Sequence, residues 1–251
     1  MVSQNPNVSV IIPCFNQGEF VDEAVNSVLS QSFQDFEIII INDGSTAQNT
    51  INILNSYDMP KTKVIHTHNQ GASAARNTGI NESNGKYILP LDADDRIGST
   101  YLEQSVNILD NNSNIGIVYC EAEYFGTKTG KWDLPEYNFP GILSSNCIFC
   151  SAFYRKSDWE KTSGYNSNML YGWEDYDFWL SLIELGLNVY RIPEILFYYR
   201  QKLSSRDTDM TYEQKIYSFI KLFENHPNLY ADYMPTYDQL ISHYKELTAV
   251  K

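Results

Sequence analysis

The segment LPLDADDRIG, Leu89 to Gly98, follows a strand-like apolar run with three carboxylates, Asp92, Asp94 and Asp95, inside four positions. Like charges this close raise one another's pKa and cost free energy unless something positive lies among them, and a divalent cation meets that need. Mg²⁺ and Mn²⁺ take hard oxygen ligands, commonly one or two carboxylates plus substrate phosphates, so D-x-D at a strand end suits a nucleotide diphosphate. Taken alone, the same residues also fit a solvated acidic turn before the helix that starts near Ser99.

Three further stretches carry candidate chemistry. In INDGST, Ile41 to Thr46, Asp43 is placed to accept hydrogen bonds from a base or ribose; the other use of Asp43 or Ser45 is to cap the following helix. NQGASAARNTG, Asn69 to Gly79, sets Arg76 on a helix of small residues. There it either reaches a phosphate or base edge or is a surface charge beside close-packed alanines. GWEDYDFW, Gly172 to Trp179, gathers Glu174, Asp175 and Asp177 among aromatics. A carboxylate beside apolar rings has a raised pKa and can serve as a general base near neutrality. The alternative is an acidic first turn that favours the helix dipole. Helical spacing puts Glu174 and Asp177 on one face and Asp175 on another, so the three need not share a role.

The elements that must position these residues alternate along the first 120 positions. VSVIIPCFN, FEIIIINDGS, KVIHTH and KYILPLDADD read as strands, and IGIVYC as another. GEFVDEAVNSVLSQSF spaces Phe20, Val21, Ala24, Val25, Val28 and Leu29 as a helix does, and GASAARNTGINES and TYLEQSVNILDN read likewise. Continuous apolar strands alternating with helices predict an α/β chain with a mainly parallel, Rossmann-like sheet flanked by helices. Ligands of such sheets bind at the strands' carboxyl ends, and PCFN, NDGS and DADD each end a strand. Beyond residue 120 the pattern loosens into a smaller part with a hairpin turn between Gly126 and Gly130. A helix through Trp179 closed by Gly186 comes next, then a strand in NVYRIPEILFYYR. From about Thr211 the chain reads as helical.

Lys and Arg number 18 against 31 Asp and Glu, a formal charge of −13, which argues against a nucleic-acid surface. No apolar run approaches a membrane span and MVSQNPNVSVIIPCFN lacks signal-peptide features, so a cytoplasmic location is expected. Cys147 and Cys150 form a C-x-x-C with no second ligand pair and read as buried strand thiols; structural or surface roles are expected for His66, His68, His226 and His243. There is no G-x-G-x-x-G, no P-loop, and no N-terminal Gly-rich phosphate loop of the kind that sugar nucleotidyltransferases carry.

In order and spacing, P-x-F-N, N-D-G-S, G-A-x-x-A-R-N, D-A-D-D and G-W-E-D-x-D resemble glycosyltransferase family 2, over roughly Val8 to Arg200. The resemblance implies a GT-A fold and an inverting, metal-dependent transfer of a sugar from a nucleotide-diphosphate donor, with a UDP-sugar favoured. It implies a GT-A domain over 1–210, split into a nucleotide-binding half (1–120) and an acceptor-binding half (121–210), and a helical C-terminal extension over 211–251. By similarity, Pro13 and Phe15 line the base site, Asp43 bonds the base, Arg76 lies on the nucleotide side, and Asp92 is nearer the ribose or sugar. Asp94 is the direct ligand of Mn²⁺ or Mg²⁺, with Asp92 the other metal carboxylate. Asp95 meets the donor sugar or starts the helix. Asp175 is the base, and Glu174 binds acceptor or donor sugar. The acceptor implied is a saccharide or lipid-linked saccharide, in bacterial surface polysaccharide synthesis.

One position departs from the pattern. Many relatives carry Y-R-x-H, whose His completes the metal shell, and YYRQKLSS places Lys202 there. A cationic ammonium cannot ligate metal but can meet the leaving diphosphate. The tail is left with peripheral contact at the inner face of the membrane, or a homodimer contact, as its uses. Tyr124, Trp132, Tyr137 and Trp159 could stack on sugars or fill the core. The competing expectation is an inactive nucleotide-sugar-binding module of the same fold.

Overall fold

The computed structural model describes residues 6–203 and 209–231, together with Ser242 and Lys245. Four parallel strands organise the first half: β1 (Val8–Cys14), β2 (Phe36–Asp43), β3 (Thr62–Thr67) and β4 (Tyr87–Pro90). Their order is β3-β2-β1-β4, and β8 (Tyr154–Arg155) adds antiparallel at the β4 edge. Every residue of β2 is buried, as the apolar run Ile38 to Ile41 requires of a strand covered on both faces, and the one carboxylate within FEIIII, Glu37, accepts from the Ser9 hydroxyl at 2.7 Å. α1 (Gly18–Leu29) buries Val21, Ala24, Val25 and Val28, the helical stripe in its sequence. Between the other strands run α2 (Gln48–Asn55) and α3 (Ala72–Asn81).

A second sheet lies beside the parallel one. β5 (Arg96–Ile97), β9 (Asn188–Gln201), β6 (Ile115–Gly126) and β7 (Gly130–Trp132) pair in that order. IGIVYC opens β6, which pairs parallel with β9 rather than beside β4. Length accounts for this: β6 has 12 residues and β9 has 14, whereas β4 has 4 and ends at Pro90. The two sheets meet where Val118 and Phe153 exchange backbone hydrogen bonds of 2.9 and 2.7 Å. The hairpin expected at Gly126 to Gly130 joins β6 to β7.

α4 (Tyr101–Asn111), α5 (Lys156–Trp159) and α6 (Glu174–Glu184) follow in the chain, and Gly186 at φ 78 lies just past the C-cap of α6. α7 (Tyr212–Asn225) starts from a capping box in which Thr211 accepts from the Gln214 N–H. Phe219 and Leu222 of α7, and Tyr230 of α8 (Pro227–Tyr230), are buried in the core. Part of the tail's apolar side is therefore spent within the chain, and the rest of the tail expectation concerns residues 232–251, which lie almost wholly outside the described ones, His243 included.

Two local expectations change. Cys147 and Cys150 lie in an irregular segment between β7 and β8, not on a strand, and all four thiols are free. α2 has no side-chain cap from Asp43 or Ser45; instead Asn16 Oδ1, across from the β1 end, accepts the Thr46 and Ala47 N–H groups at 2.8 Å each.

Candidate active site

Because β1, β2 and β4 are parallel and in register, PCFN, INDGS and DADD emerge at one edge of the sheet. They form a cleft of about 510 Å³, lined by Pro13, Phe15, Asp43, Arg76, Asp92, Asp94 and Lys202 among others. Phe15 is 43% exposed, an apolar ring at the mouth that no core packing claims. Asp43 is buried at the end of β2, and its two oxygens accept the N–H groups of Gln70 and Gly71 at 2.9 Å each. It thereby fixes the loop that enters α3, with lone pairs remaining for a further donor. Gly44 turns there at φ 65, and a Cβ on it would stand 2.4 Å from the Asn69 backbone nitrogen, so only glycine fits.

A second lobe of about 440 Å³ adjoins the first and shares Arg76, Asp92 and Tyr199 with it. Its walls include Glu174 and Asp175 with Tyr124, Trp132, Trp173 and Phe197. Trp132 stacks with Tyr124 at 5.2 Å and lies 5.1 Å from the Tyr199 ring, centroid to centroid, so β6, β7 and β9 together build an aromatic wall. Of the four aromatics in doubt from sequence, Tyr124 and Trp132 belong to this lobe. Tyr137 and Trp159 pack against the core instead.

Arg76 stands at the junction of the lobes and is 1% exposed. One terminal nitrogen donates to Asp92 Oδ1 at 2.7 Å and the other to Glu174 Oε1 at 2.6 Å. Taken out of water, a guanidinium is stable only with such partners. Burial opposes its charge, but Asp92 and Glu174 outweigh burial and hold its pKa well above the usual value. The small residues of α3 are what allow this: Gly79 packs so close that a Cβ would lie 2.4 Å from Ile11 Cγ2 of β1.

The turn into α6 is left-handed at a bulky residue, with Trp173 at φ 67 directly after Gly172 at φ 139. It sends Glu174 inward to Arg76, while Asp175 lines the second lobe and accepts the Tyr176 N–H at 2.8 Å. Glu174 and Asp177 are both buried, the shared face that helical spacing requires, and Asp175 is not.

The acidic turn is clamped from β9. Arg200 donates its N–H to Asp95 Oδ1 at 2.8 Å and its Nε to the Asp94 carbonyl at 2.8 Å, and its far end pairs with Glu23 of α1. Asp94 Oδ2 lies 2.5 Å from Lys202 Nζ and accepts from Gln17 Nε2 at 3.2 Å. Burial, then the Asp92 charge, raise the Asp94 pKa, with Lys202 opposing. Burial and its two neighbours push Asp95 well above the carboxylate range, and its Oδ2 is buried with no hydrogen-bond partner.

Asp92, Asp95 and Cys150 each offer an atom within 4.8 Å of the others, the one such group among the described residues. An unpartnered buried carboxylate oxygen beside a second carboxylate fits a hard divalent cation. The thiol fits it less well: burial and then Asp92 hold the Cys150 pKa high, and its Sγ lies 3.5 Å from Asp92 Oδ2.

Of the residues given site roles from sequence, Asp95 alone lines neither lobe and is buried; Asp177, gathered with Glu174 and Asp175 in the sequence, also lines neither and accepts from Asn225 Nδ2 at 2.6 Å. Sequence reasoning missed Gln17, Arg200 and Cys150 as parts of the site. Arg200 stands two positions before Lys202 in YYRQK, and a basic pair at a strand end was the available signal. Nothing local marked Cys150, since its neighbour Asp92 lies 58 positions away.

Fold and site together define an α/β protein with a two-lobed acidic cleft at the carboxyl edge of its parallel sheet. A family model for glycosyl transferase family 2 matches residues 9–171. An uncharacterized glycosyltransferase of Haemophilus influenzae is 32% identical over 225 residues, 85% of this chain and 76% of its own length. The putative glycosyltransferase EpsE of Bacillus subtilis is 30% identical over 210 residues, 80% of this chain and 75% of its own. Among solved structures, S. aureus TarS 1-349 in complex with UDP-GlcNAc superposes with a TM-score of 0.69 at 17% identity, over 94% of this chain and 79% of that one. The mannosyltransferase PcManGT of Pyrobaculum calidifontis, in complex with GDP-Man and Mn²⁺, gives 0.65 at 15% identity, over 99% and 77%. The chain belongs to glycosyl transferase family 2: it is a glycosyltransferase of GT-A fold.

Proposed function

We propose that the protein transfers a sugar from a nucleotide-diphosphate donor, a UDP-sugar by preference, to a hydroxyl of a saccharide or lipid-linked saccharide, with inversion at the anomeric carbon. The observation that carries this is the pair of lobes meeting at Asp92 and Arg76, with Asp43, Asp94 and Lys202 in one and Asp175 in the other. The first is the donor lobe. There Pro13 and Phe15 receive the base, Asp43 accepts from it, Asp92 lies toward the ribose or sugar, and Asp95 supports the turn facing the donor. Asp92 and Asp94, with Asp95 behind them, would hold Mn²⁺ or Mg²⁺, which offsets charge on a departing diphosphate.

The second is the acceptor lobe, where an aromatic wall suits the apolar faces of a sugar ring. Asp175 takes the proton of the acceptor hydroxyl. That oxygen bonds to the anomeric carbon as the carbon's bond to the diphosphate oxygen breaks on the opposite face, and the electron pair leaves with the diphosphate. The configuration inverts and no covalent sugar intermediate forms. Glu174, fixed on Arg76, borders the sugar between the two lobes. A role in bacterial surface polysaccharide synthesis agrees with such an acceptor.

Release of nucleotide diphosphate from a panel of UDP-, GDP- and dTDP-sugars, with Mn²⁺ or Mg²⁺ and with saccharide acceptors, tests the reading. Turnover of one donor is expected. Absence of turnover and of nucleotide binding across the panel would contradict it.

A further inference from the structure

Among the described residues lining the donor lobe, the cations are Arg76 and Lys202. Arg76 is 1% exposed and held between two carboxylates, one terminal nitrogen donating to Asp92 and the other to Glu174. The Lys202 side chain keeps 28% exposure, and its Nζ lies 2.5 Å from Asp94 Oδ2. An ammonium carries three donors, so a bond to Asp94 leaves others for an incoming anion. Its place is set by rigid neighbours: β9 ends at Gln201, and two residues before Lys202 the Arg200 N–H and Nε pin the strand end to Asp95 and to the Asp94 carbonyl.

The same contact alters the acidic turn. Asp94, engaged by Lys202 and Gln17, is not among the side chains near enough to share one ion, which are Asp92, Asp95 and Cys150. Asp92, Asp94, Glu174 and Asp175 line the two lobes, Asp95 is buried beside them, and a diphosphate adds further negative charge. Lys202 is the partly exposed positive group in position to receive it.

We propose that Lys202 is the built-in cation that binds the donor's diphosphate, and that it competes with a divalent ion for Asp94; the proposal rests on the nucleotide-sugar reading above. A nucleoside diphosphate then binds without metal, through the ammonium. Were a divalent ion to take Asp94, Lys202 would be freed toward the phosphates, since both cations would draw on the same carboxylate.

Calorimetric titration of the full chain with UDP and GDP, in EDTA and again in Mn²⁺, tests the first part; titration with Mn²⁺ alone, followed by electron paramagnetic resonance, tests the second. Wild-type protein is expected to bind one nucleotide in EDTA, and Lys202→Met to weaken that binding by roughly tenfold or more, the loss of a charge-assisted hydrogen bond. Lys202→Arg, which keeps the charge, is expected to retain most of it. Mn²⁺ alone should bind Lys202→Met more tightly than wild type, because Asp94 is released. Matched melting temperatures establish that the variants fold. Equal nucleotide affinity of wild type and Lys202→Met in EDTA, or wild-type binding that needs Mn²⁺, would overturn the lysine's role and leave the nucleotide-sugar reading standing. Unchanged Mn²⁺ affinity in Lys202→Met would overturn the competition. No nucleotide binding under either condition would overturn both readings together.

Discussion

At the scale of residues, Arg76 holds the site together, since one buried guanidinium ties Asp92, where the two lobes meet, to Glu174 of the second lobe. Removing one partner of a buried ion pair leaves uncompensated charge and costs about 3–5 kcal/mol. Arg76→Met is therefore expected to lower stability by that order in urea unfolding, and Arg76→Lys by less, since it keeps the charge but not the two-pronged geometry. A change under 1 kcal/mol would show that Asp92 and Glu174 find other partners. The residue types of the site were legible from sequence: DADD, NDGS and GWED each lie at the cleft. Their partners were not, because Arg76 meets Glu174 across 98 positions and Asp94 meets Lys202 only where β9 returns to the turn. The caps show the same limit. Asp43 and Ser45 had the composition of N-caps, yet Asn16 from another loop does that work.

At the scale of elements, two contacts set how the helices lie on the sheets. Gly79→Ala would put a methyl 2.4 Å from Ile11 Cγ2, so α3 must shift off β1. Overpacking of this kind costs about 1–3 kcal/mol, despite alanine's better helix propensity. Because α3 carries Arg76, nucleotide affinity should fall with stability, and a stabilised variant would contradict the packing described. The other contact joins α6 to the start of α8, where buried His226 places Nδ1 3.0 Å from Glu184 Oε2. Its Nε2 lies 3.3 Å from Asp177 Oδ1, an ion-pair distance outside hydrogen-bond geometry. Burial disfavours the imidazolium, but Asp177 and Glu184 outweigh burial and raise its pKa to about 9. A raised folded pKa stabilises fully below the unfolded value of about 6.5 and is lost as pH climbs through about 9. Urea midpoints of wild type should thus fall between pH 6 and pH 10 by more than those of His226→Gln, a difference of up to about 3 kcal/mol. Parallel profiles would mean that His226 is uncharged in the fold. Element types and order were largely legible from periodicity. The division into two sheets was not, because strand partners are chosen by length and by returns from far along the chain, as β9 is for β6.

At the scale of the whole molecule, the described part of the tail, through residue 231, is packed with the lobes as one structure. α7 and α8 bury Phe219, Leu222 and Tyr230, and the Tyr230 hydroxyl donates to the Leu143 carbonyl at 3.1 Å. Truncation before Thr211 is accordingly expected to lower the melting temperature by several degrees, since a few kcal/mol of buried apolar surface is lost. An unchanged melting temperature would mean that the tail is a separate appendage. No described helix is long and apolar enough to cross a membrane, and the formal charge of −13 leaves attraction of anionic donors to local cations in the cleft. The central claim is that one lobe binds the nucleotide while Asp175 in the other takes the acceptor's proton. Its most direct test is nucleotide-diphosphate release by wild type and Asp175→Asn, on the same donor and acceptor, with nucleotide affinity measured beside it. Loss of a general base removes about 10²–10⁴ in rate. Turnover is expected to fall at least a hundredfold with affinity within a factor of two or so; a variant that kept more than a tenth of wild-type turnover would contradict the account.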